Sequence, residues 1–181
     1  DHPKAVYNVM LTEFAQKSRR RACYWARRMY YRYPTYAPVQ GWSNDLFNAE
    51  YKPGVKTKCN VSFSDRSRRI RRLQWEGLAE KALQEIQTMD IDKLGLSHFF
   101  KDRLLAEYYV NQGYASKSLE ILMKYREEEK GNYDYNLLLA KAAQRVGNYY
   151  LAQNTYRRAM RYTRSSRKKR KAQFKSAFLA Y

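Results

Sequence analysis

The sequence predicts an all-α protein, a short α-solenoid of about three helix–turn–helix repeats flanked by basic segments. A basic helix and a long irregular loop are expected before the repeats, and a basic helix after them. Three observations predict this fold: a stretch that repeats after 34 residues, apolar residues at helical spacing, and charge confined to the ends. With 181 residues, 44% of them hydrophobic, the chain can bury a core.

The net charge of +19 lies entirely outside the middle of the chain. Residues 1–72 carry a net +11 and residues 157–181 carry +10, whereas residues 73–156 carry −2. Because such an excess repels itself, a polyanionic partner is the leading explanation. The uninterrupted apolar stretches are far shorter than the roughly 18 residues that cross a bilayer, so no transmembrane segment is expected.

The N-terminal segment, residues 1–33, is expected to be a basic helix. Val6, Met10 and Phe14 recur at helical spacing, and neither proline nor glycine interrupts residues 5–31. The pattern therefore predicts one long helix that ends before the next proline of the chain.

Residues 34–62 are expected to form an irregular extension. They hold three of the four prolines and two of the seven glycines, and they show no sustained period. Loops of this length are uncommon in compact domains unless they are functional. We expect this one to follow a partner's surface, with Trp42, Phe47 and Tyr51 as apolar anchors.

The two cysteines, Cys23 and Cys59, are 36 residues apart and belong to no CxxC or Cys/His cluster. This spacing favours two reduced thiols packed as small hydrophobic groups. Neither a disulfide framework nor a zinc site is expected.

An internal repeat defines residues 63–166. Gly113 and Gly147 are 34 residues apart, and a degenerate third copy lies around Gly77. The matched positions are Leu105–Ala106 with Leu139–Ala140, Ser118 with Ala152, Leu122 with Tyr156, and Tyr125 with Ala159. Each copy reads as a helix, a glycine turn and a second helix, and three copies are about the minimum for a stable stack.

This period and layout resemble the tetratricopeptide repeat. The resemblance implies that Ala140, Ala152 and Ala159 lie buried where helices cross, with Tyr156 in the core beside them. It also implies that the repeats bind a neighbouring protein. A generic bundle of helical hairpins is the alternative interpretation.

The last segment, residues 167–181, is expected to be a basic helix that caps the repeats. Phe174, Ala177, Phe178 and Tyr181 form a one-sided apolar stripe on it, which would dock the helix on the stack.

Catalytic chemistry has little support in this sequence. The glycines are scattered singly, without a phosphate loop, and of the two histidines only His98 lies inside the chain. The acidic run 127–129 reads as a solvated helix end. We therefore expect no enzyme, cofactor, metal or small-molecule substrate.

Basic clusters with interleaved aromatic residues are the main functional signal. Arginine binds phosphate oxygens through a bidentate fork, and tyrosine or tryptophan stacks on unpaired bases, so the clusters predict contact with nucleic acid. The candidate RNA-binding residues are Arg19, Arg20, Arg21, Arg27, Arg28, Arg32, Arg66, Arg68, Arg69, Arg71, Arg72, Arg158, Arg161, Arg164, Arg167, Lys168, Lys169, Arg170 and Lys171. An anionic membrane would attract the same clusters, and a nuclear localisation signal would explain residues 167–171 alone.

A compact body with basic ends resembles ribosomal proteins in architecture and charge, although no motif of a universal ribosomal family is visible. We therefore expect a structural subunit of an organellar ribosome in the mitochondrial matrix, with rRNA at its ends and a protein on its repeats. A chain beginning at Asp1 would fit removal of a transit peptide, or missing first residues. The alternatives are a supernumerary subunit of a respiratory complex or ATP synthase, and a soluble adaptor or RNA-processing factor.

Overall fold

The computed structural model describes residues 2–40, 46–52 and 55–178, and it is predominantly α-helical, as expected. The helices are α1 (Pro3–Ala15), α2 (Arg19–Arg32), α3 (Ala37–Gln40), α4 (Phe63–Trp75), α5 (Ala79–Gln87), α6 (His98–Asn111), α7 (Ala115–Met123), α8 (Tyr133–Val146), α9 (Tyr149–Arg161) and α10 (Ser166–Ala177). Two strands, β1 (Leu46–Lys52) and β2 (Val55–Asn60), pair antiparallel, and a 3₁₀ turn spans Asp92–Leu94.

The chain divides into an N-terminal unit, Asp1–Asp90, and a C-terminal unit, Ile91–Tyr181. This boundary falls inside the expected repeat region 63–166. Helices α4 and α5, assigned from the sequence to the repeats that follow, instead form one compact unit with α1, α2 and the β-hairpin, and α4 packs against α2.

The expected single helix over residues 5–31 is wrong, because the chain turns between α1 and α2. Lys17 adopts a left-handed backbone with a φ of 58°. The Ser18 amide donates to the Glu13 carbonyl and the Lys17 amide donates to that of Phe14, which closes α1 with a Schellman-type cap. Glycine usually occupies this position. Because lysine stands there instead, the sequence gives no signal of this turn.

The same type of turn joins α4 to α5, α6 to α7 and α8 to α9. Gly77, Gly113 and Gly147 have φ values of 80°, 89° and 86°, and each precedes an amide that donates five residues back. The predicted glycine turns therefore form. With α1–α2, the described chain has four helical hairpins closed in the same way, one more than the sequence predicted.

The expectation that residues 34–62 are irregular is also wrong in part. They contain α3 and the β-hairpin, in which the backbone of Phe47 pairs with that of Cys59. A two-stranded hairpin is marginal alone, and this one contacts α1 and α2. Of the expected anchors, Trp42 lies outside the described residues, as do the side chains of Phe47 and Tyr51.

Cys23 and Cys59 form a disulfide, which corrects the expectation of two reduced thiols. It links α2 to β2 with a Cα–Cα distance of 5.5 Å. Sequence spacing could not show this proximity, because the reversal at Lys17 and the hairpin together bring the two residues into one core. That core also holds Met10, Phe14, Ala22, Ala26, Tyr30 and Val61.

The C-terminal unit has its core between α6, α7 and α8. Phe99, Leu122, Tyr135 and Leu139 pack there, and the Tyr135 hydroxyl donates to the Leu122 carbonyl at 2.8 Å. The expected burial of the small positions is confirmed, because Ala140, Ala152, Ala159 and the larger Tyr156 are all fully buried.

Helix α10 forms as expected, but its docking face is not the expected aromatic stripe. Phe174 is 66% exposed and Phe178 is exposed as well, whereas Ala172 and Ser176 are buried. Ala172 packs with Tyr133 and Ala159, because a small side chain allows the helices to approach closely. The Tyr133 hydroxyl also donates to the backbone carbonyl of Lys168 at 3.0 Å. Tyr181 lies outside the described residues.

Among the described residues, no helix combines the length and apolar character needed to cross a membrane.

Candidate nucleic-acid interface

Helix α2 presents the first basic cluster. Its inner face is Ala22, Ala26, Met29 and Tyr30, all buried, which leaves the cations on the outside. Arg19, Arg20 and Arg21 are exposed, and Arg27, Arg28 and Arg32 are half-buried. No acidic residue lies in the first turn to offset the positive end of the helix dipole, so this end of α2 attracts anions.

Aromatic rings hold two of these guanidinium groups. Arg28 lies 5.4 Å from the centre of the Trp25 ring, and Arg32 lies 5.8 Å from that of Tyr33. A guanidinium stacked on a ring keeps its positive charge, so both groups add to the positive potential of α2.

The second cluster, on α4, is only partly a surface. Arg66 and Arg69 are 2% and 6% exposed, so their assignment as RNA-binding residues is corrected. The Arg69 Nε donates to Glu85 at 2.7 Å, and its NH1 group donates to the Tyr30 carbonyl at 2.9 Å. A run of five arginines looked uniform, but helical spacing turns these two inward beside Ile70.

The remaining α4 cations stay at the surface. Arg68 and Arg71 are exposed, and Arg68 lies over the Tyr31 ring at 5.2 Å. Arg72 is half-buried, forms a salt bridge with Glu76, and lies 4.2 Å from the centre of the exposed Trp75 ring.

In the C-terminal unit, a cleft of about 450 Å³ opens beside α9. We call it the arginine cleft. Its lining residues are Arg126, Leu139, Tyr150, Leu151, Asn154, Thr155, Arg157, Arg158, Arg161 and Tyr162. Four of these lining residues are arginines, and Leu139 of α8 belongs to the buried core.

Helical geometry explains how α9 supplies most of this cleft. Positions 150, 154, 157, 158 and 161 fall within about 100° of the helix circumference at 100° per residue. The buried residues Ala152, Tyr156 and Ala159 lie on the opposite side. One face of α9 therefore packs the core while the other carries tyrosine, asparagine and three arginines.

The arginines of the cleft act electrostatically on Tyr135, a buried residue of the core. Burial raises the pKa of Tyr135 to about 12, while the nearby Arg158 and Arg126 act in the opposite direction. Glu129 and Glu127 lie near enough to raise the same pKa further. The cleft is thus cationic with acidic groups in its vicinity.

Helix α10 presents the third cluster, and all of Arg167, Lys168, Lys169, Arg170 and Lys171 are exposed. Ala172 and Ser176 face inward. Helical spacing therefore places Arg167, Arg170 and Lys171 on the outer face, and Lys168 and Lys169 beside the inward face. Lys168 lies 3.6 Å from Asp134 and 4.6 Å from the Tyr133 ring centre. Arg164, exposed, lies in the connection before the helix.

The exposed aromatic pair of α10 belongs to the same outer face. Phe174 and Phe178 contact each other edge to face, with their ring centres 4.9 Å apart. Cations and aromatic rings therefore share one exposed surface.

Sequence reasoning missed Arg126, Tyr150, Asn154 and Tyr162. The spacing of residues 150, 154, 157 and 161 was a readable signal for one helix face. Arg126 precedes α8 and joins the cleft only through the fold.

Comparison with known proteins finds no matching family model, curated protein or solved structure. Groups of three or more metal-ligating side chains are likewise not found among the residues that the structure describes. The charged surfaces are therefore the features of the molecule that indicate a function.

Proposed function

We propose that this protein is a non-catalytic, RNA-binding structural component of an organellar ribosome, with its basic helices on rRNA. Its helical hairpins would be tetratricopeptide-like repeats that contact a neighbouring protein. The observation that carries the proposal is helix α10, on which five consecutive cations are exposed and no acidic residue occurs.

Three features of the described surfaces support RNA over a generic solvated charge. The cations of α2, α4 and α10 occur beside exposed aromatic rings, including Trp75 and Phe174. Arginine predominates over lysine on α2 and α4, as suits bidentate contact with phosphate. The arginine cleft adds a concave site to these convex helices.

The Cys23–Cys59 disulfide bears on the compartment. Structural disulfides persist where the environment is oxidising, which the mitochondrial matrix is not expected to be. It favours the second candidate, a supernumerary subunit of a respiratory complex or ATP synthase. In that case the cations and the Phe174–Phe178 pair of α10 would contact anionic lipid headgroups.

One experiment separates the two candidates: isolation of the native assembly, followed by RNase or by mild detergent. On the first proposal, RNase releases the protein and detergent leaves it bound. Release by detergent with resistance to RNase would contradict it and support the respiratory candidate. Labelling of free thiols in the freshly isolated protein reports in parallel whether the disulfide exists in the native compartment.

A further inference from the structure

We infer that the arginine cleft holds one unpaired nucleotide of the bound RNA, with its phosphate on the guanidinium groups and its base against Tyr150. This inference rests on the proposed RNA-binding function and adds a specific site to it. It predicts a preference for single-stranded over duplex RNA, which the exposed helices α2 and α10 do not require.

The size and charge of the cleft suit a phosphate-bearing group. At about 450 Å³ it lies within the range of pockets that bind small ligands. Within the described residues, no salt bridge joins the guanidinium groups of Arg126, Arg157, Arg158 or Arg161 to a carboxylate. Four arginines that line one cleft can therefore offer paired N–H donors to the oxygens of a phosphate.

The aromatic side chains indicate what accompanies the phosphate. Tyr150 is 80% exposed at the edge of the cleft, and Tyr162 is exposed as well. Tyr150 is not one of the residues through which α9 packs the core, such as Ala152, Tyr156 and Ala159. A flat aromatic ring beside phosphate-binding arginines is how proteins hold an unpaired base, because every base offers a face for stacking.

Asn154 also lines the cleft and brings a polar side chain to it. An amide side chain both donates and accepts hydrogen bonds, as the edge of a base requires. In a duplex the bases are stacked and paired, so only a single strand can place a base in this cleft. An acidic peptide offers carboxylates for the arginines but no base for Tyr150.

The test uses the full chain and a fluorescein-labelled RNA of about 12 nucleotides, which is within the site sizes of single-strand binders. Tyr150→Ala should weaken single-strand binding about 5- to 150-fold, the range for loss of one base–aromatic stack. Binding of Tyr150→Ala to the same RNA annealed to its complement should be weakened by less than about 2-fold. Tyr150→Trp should retain single-strand affinity because the stacking face remains.

Tyr149 provides the matched control. It is the same residue type, adjacent on α9 and also exposed, yet it does not line the cleft. Tyr149→Ala should therefore change single-strand binding less than about 2-fold.

The outcomes distinguish this inference from the function on which it rests. Equal small effects of the two alanine variants, with RNA binding intact, would overturn the cleft assignment and leave the proposed function standing. If the wild-type chain binds no RNA, both the cleft assignment and the proposed function are overturned. An acidic peptide of equal charge that binds as tightly as the single strand and loses as much in Tyr150→Ala would replace the nucleotide with a protein ligand.

Discussion

The Nε atom of Arg69 donates a 2.7 Å hydrogen bond to Oε1 of Glu85, linking α4 to α5 through a pair of largely buried charges. The Arg69 guanidinium also lies 4.5 Å from the centre of the Tyr30 ring and donates to the Tyr30 carbonyl. One arginine therefore connects three helices of the N-terminal unit. Its role is structural, because the guanidinium is committed to internal partners.

Replacement of Arg69 should destabilise the N-terminal unit strongly. Arg69→Ala leaves Glu85 as a buried carboxylate without this partner, and loss of one member of a buried pair costs about 3–5 kcal/mol. Urea unfolding followed by tryptophan fluorescence would measure this, since all three tryptophans lie within residues 1–90. Arg68→Ala, one position away and exposed, should cost less than about 1 kcal/mol. Equal costs for the two variants would contradict the buried-pair assignment.

The pH dependence of stability should reveal Glu85. Burial raises its pKa above the ordinary 4.5, and the nearby Arg69 and Arg66 oppose that shift only in part. The native state then binds more protons than the unfolded state above pH 4.5, so the free energy of unfolding falls as pH rises through that window. Glu85→Gln removes this titration. The free energy of unfolding of the wild type minus that of Glu85→Gln should therefore decrease from about pH 4 upwards until Glu85 is ionised.

The opposite slope would show that Arg69 outweighs burial. In that case the difference between wild type and Glu85→Gln would rise with pH, because ionised Glu85 would stabilise the native state. Glu80→Gln, exposed on the same helix, provides the control and should give a nearly flat difference.

The disulfide should account for much of the stability of the N-terminal unit. It closes a loop across 36 residues, and loss of such a cross-link typically lowers the free energy of unfolding by about 2–5 kcal/mol. The Cys23→Ala/Cys59→Ala variant should show this decrease by tryptophan fluorescence. Dithiothreitol should lower the wild type to a similar value and leave the variant unchanged. Two titratable thiols in the untreated wild-type protein would contradict the cross-link.

Much of the helical framework could be predicted from sequence, since glycine marks three of the four hairpin turns. The turn at Lys17 could not, because a lysine in a left-handed backbone has no compositional signal. Because the sequence did not reveal this turn, it also gave no indication that Cys23 lies near Cys59. The 34-residue repeat correctly predicted that Ala152 is buried, because a small residue at a helix crossing is what lets the two helices approach closely.

Charge was the less reliable guide at individual positions. Composition predicted basic surfaces, but whether one arginine points inward depends on its angle around the helix, as Arg69 shows against Arg68. The arginine cleft needed tertiary structure, because Arg126 reaches it from the segment before α8. Phe174 was assigned to the interior by hydrophobicity alone, whereas the smaller Ala172 fits the close contact with α9.

Overpacking of a helix crossing should weaken the C-terminal unit. Ala152 is fully buried on α9, so Ala152→Trp must displace its neighbours and should cost about 1–3 kcal/mol or more. Thermal unfolding followed by far-ultraviolet circular dichroism would measure the loss. Ser116→Trp, on the exposed side of α7, should change stability by no more than about 0.5 kcal/mol. Unchanged stability of Ala152→Trp would contradict the crossing inferred from the repeat.

The cations of α10 should determine much of the salt dependence of RNA binding. Because Arg167 to Lys171 lie on a helix, only two or three of the five can face one partner. Each neutralised phosphate contributes about 0.7–0.9 to the slope of log affinity against log salt. Replacing all five with glutamine should reduce the measured slope by about 1.5–2.5, similarly for unrelated RNA sequences.

Two partial variants test whether α10 binds as the helix described here. Arg167, Arg170 and Lys171 share its outer face, so glutamine at these three should reproduce nearly the whole effect. Glutamine at Lys168 and Lys169 should reduce the slope by less than about 0.5, because these two flank the packed face. A reduction of about 3.5–4.5 for all five would mean that the segment unwinds along the phosphate backbone. An unchanged slope, with loss of binding to anionic lipid vesicles, would contradict RNA as the partner of α10 and favour the respiratory candidate.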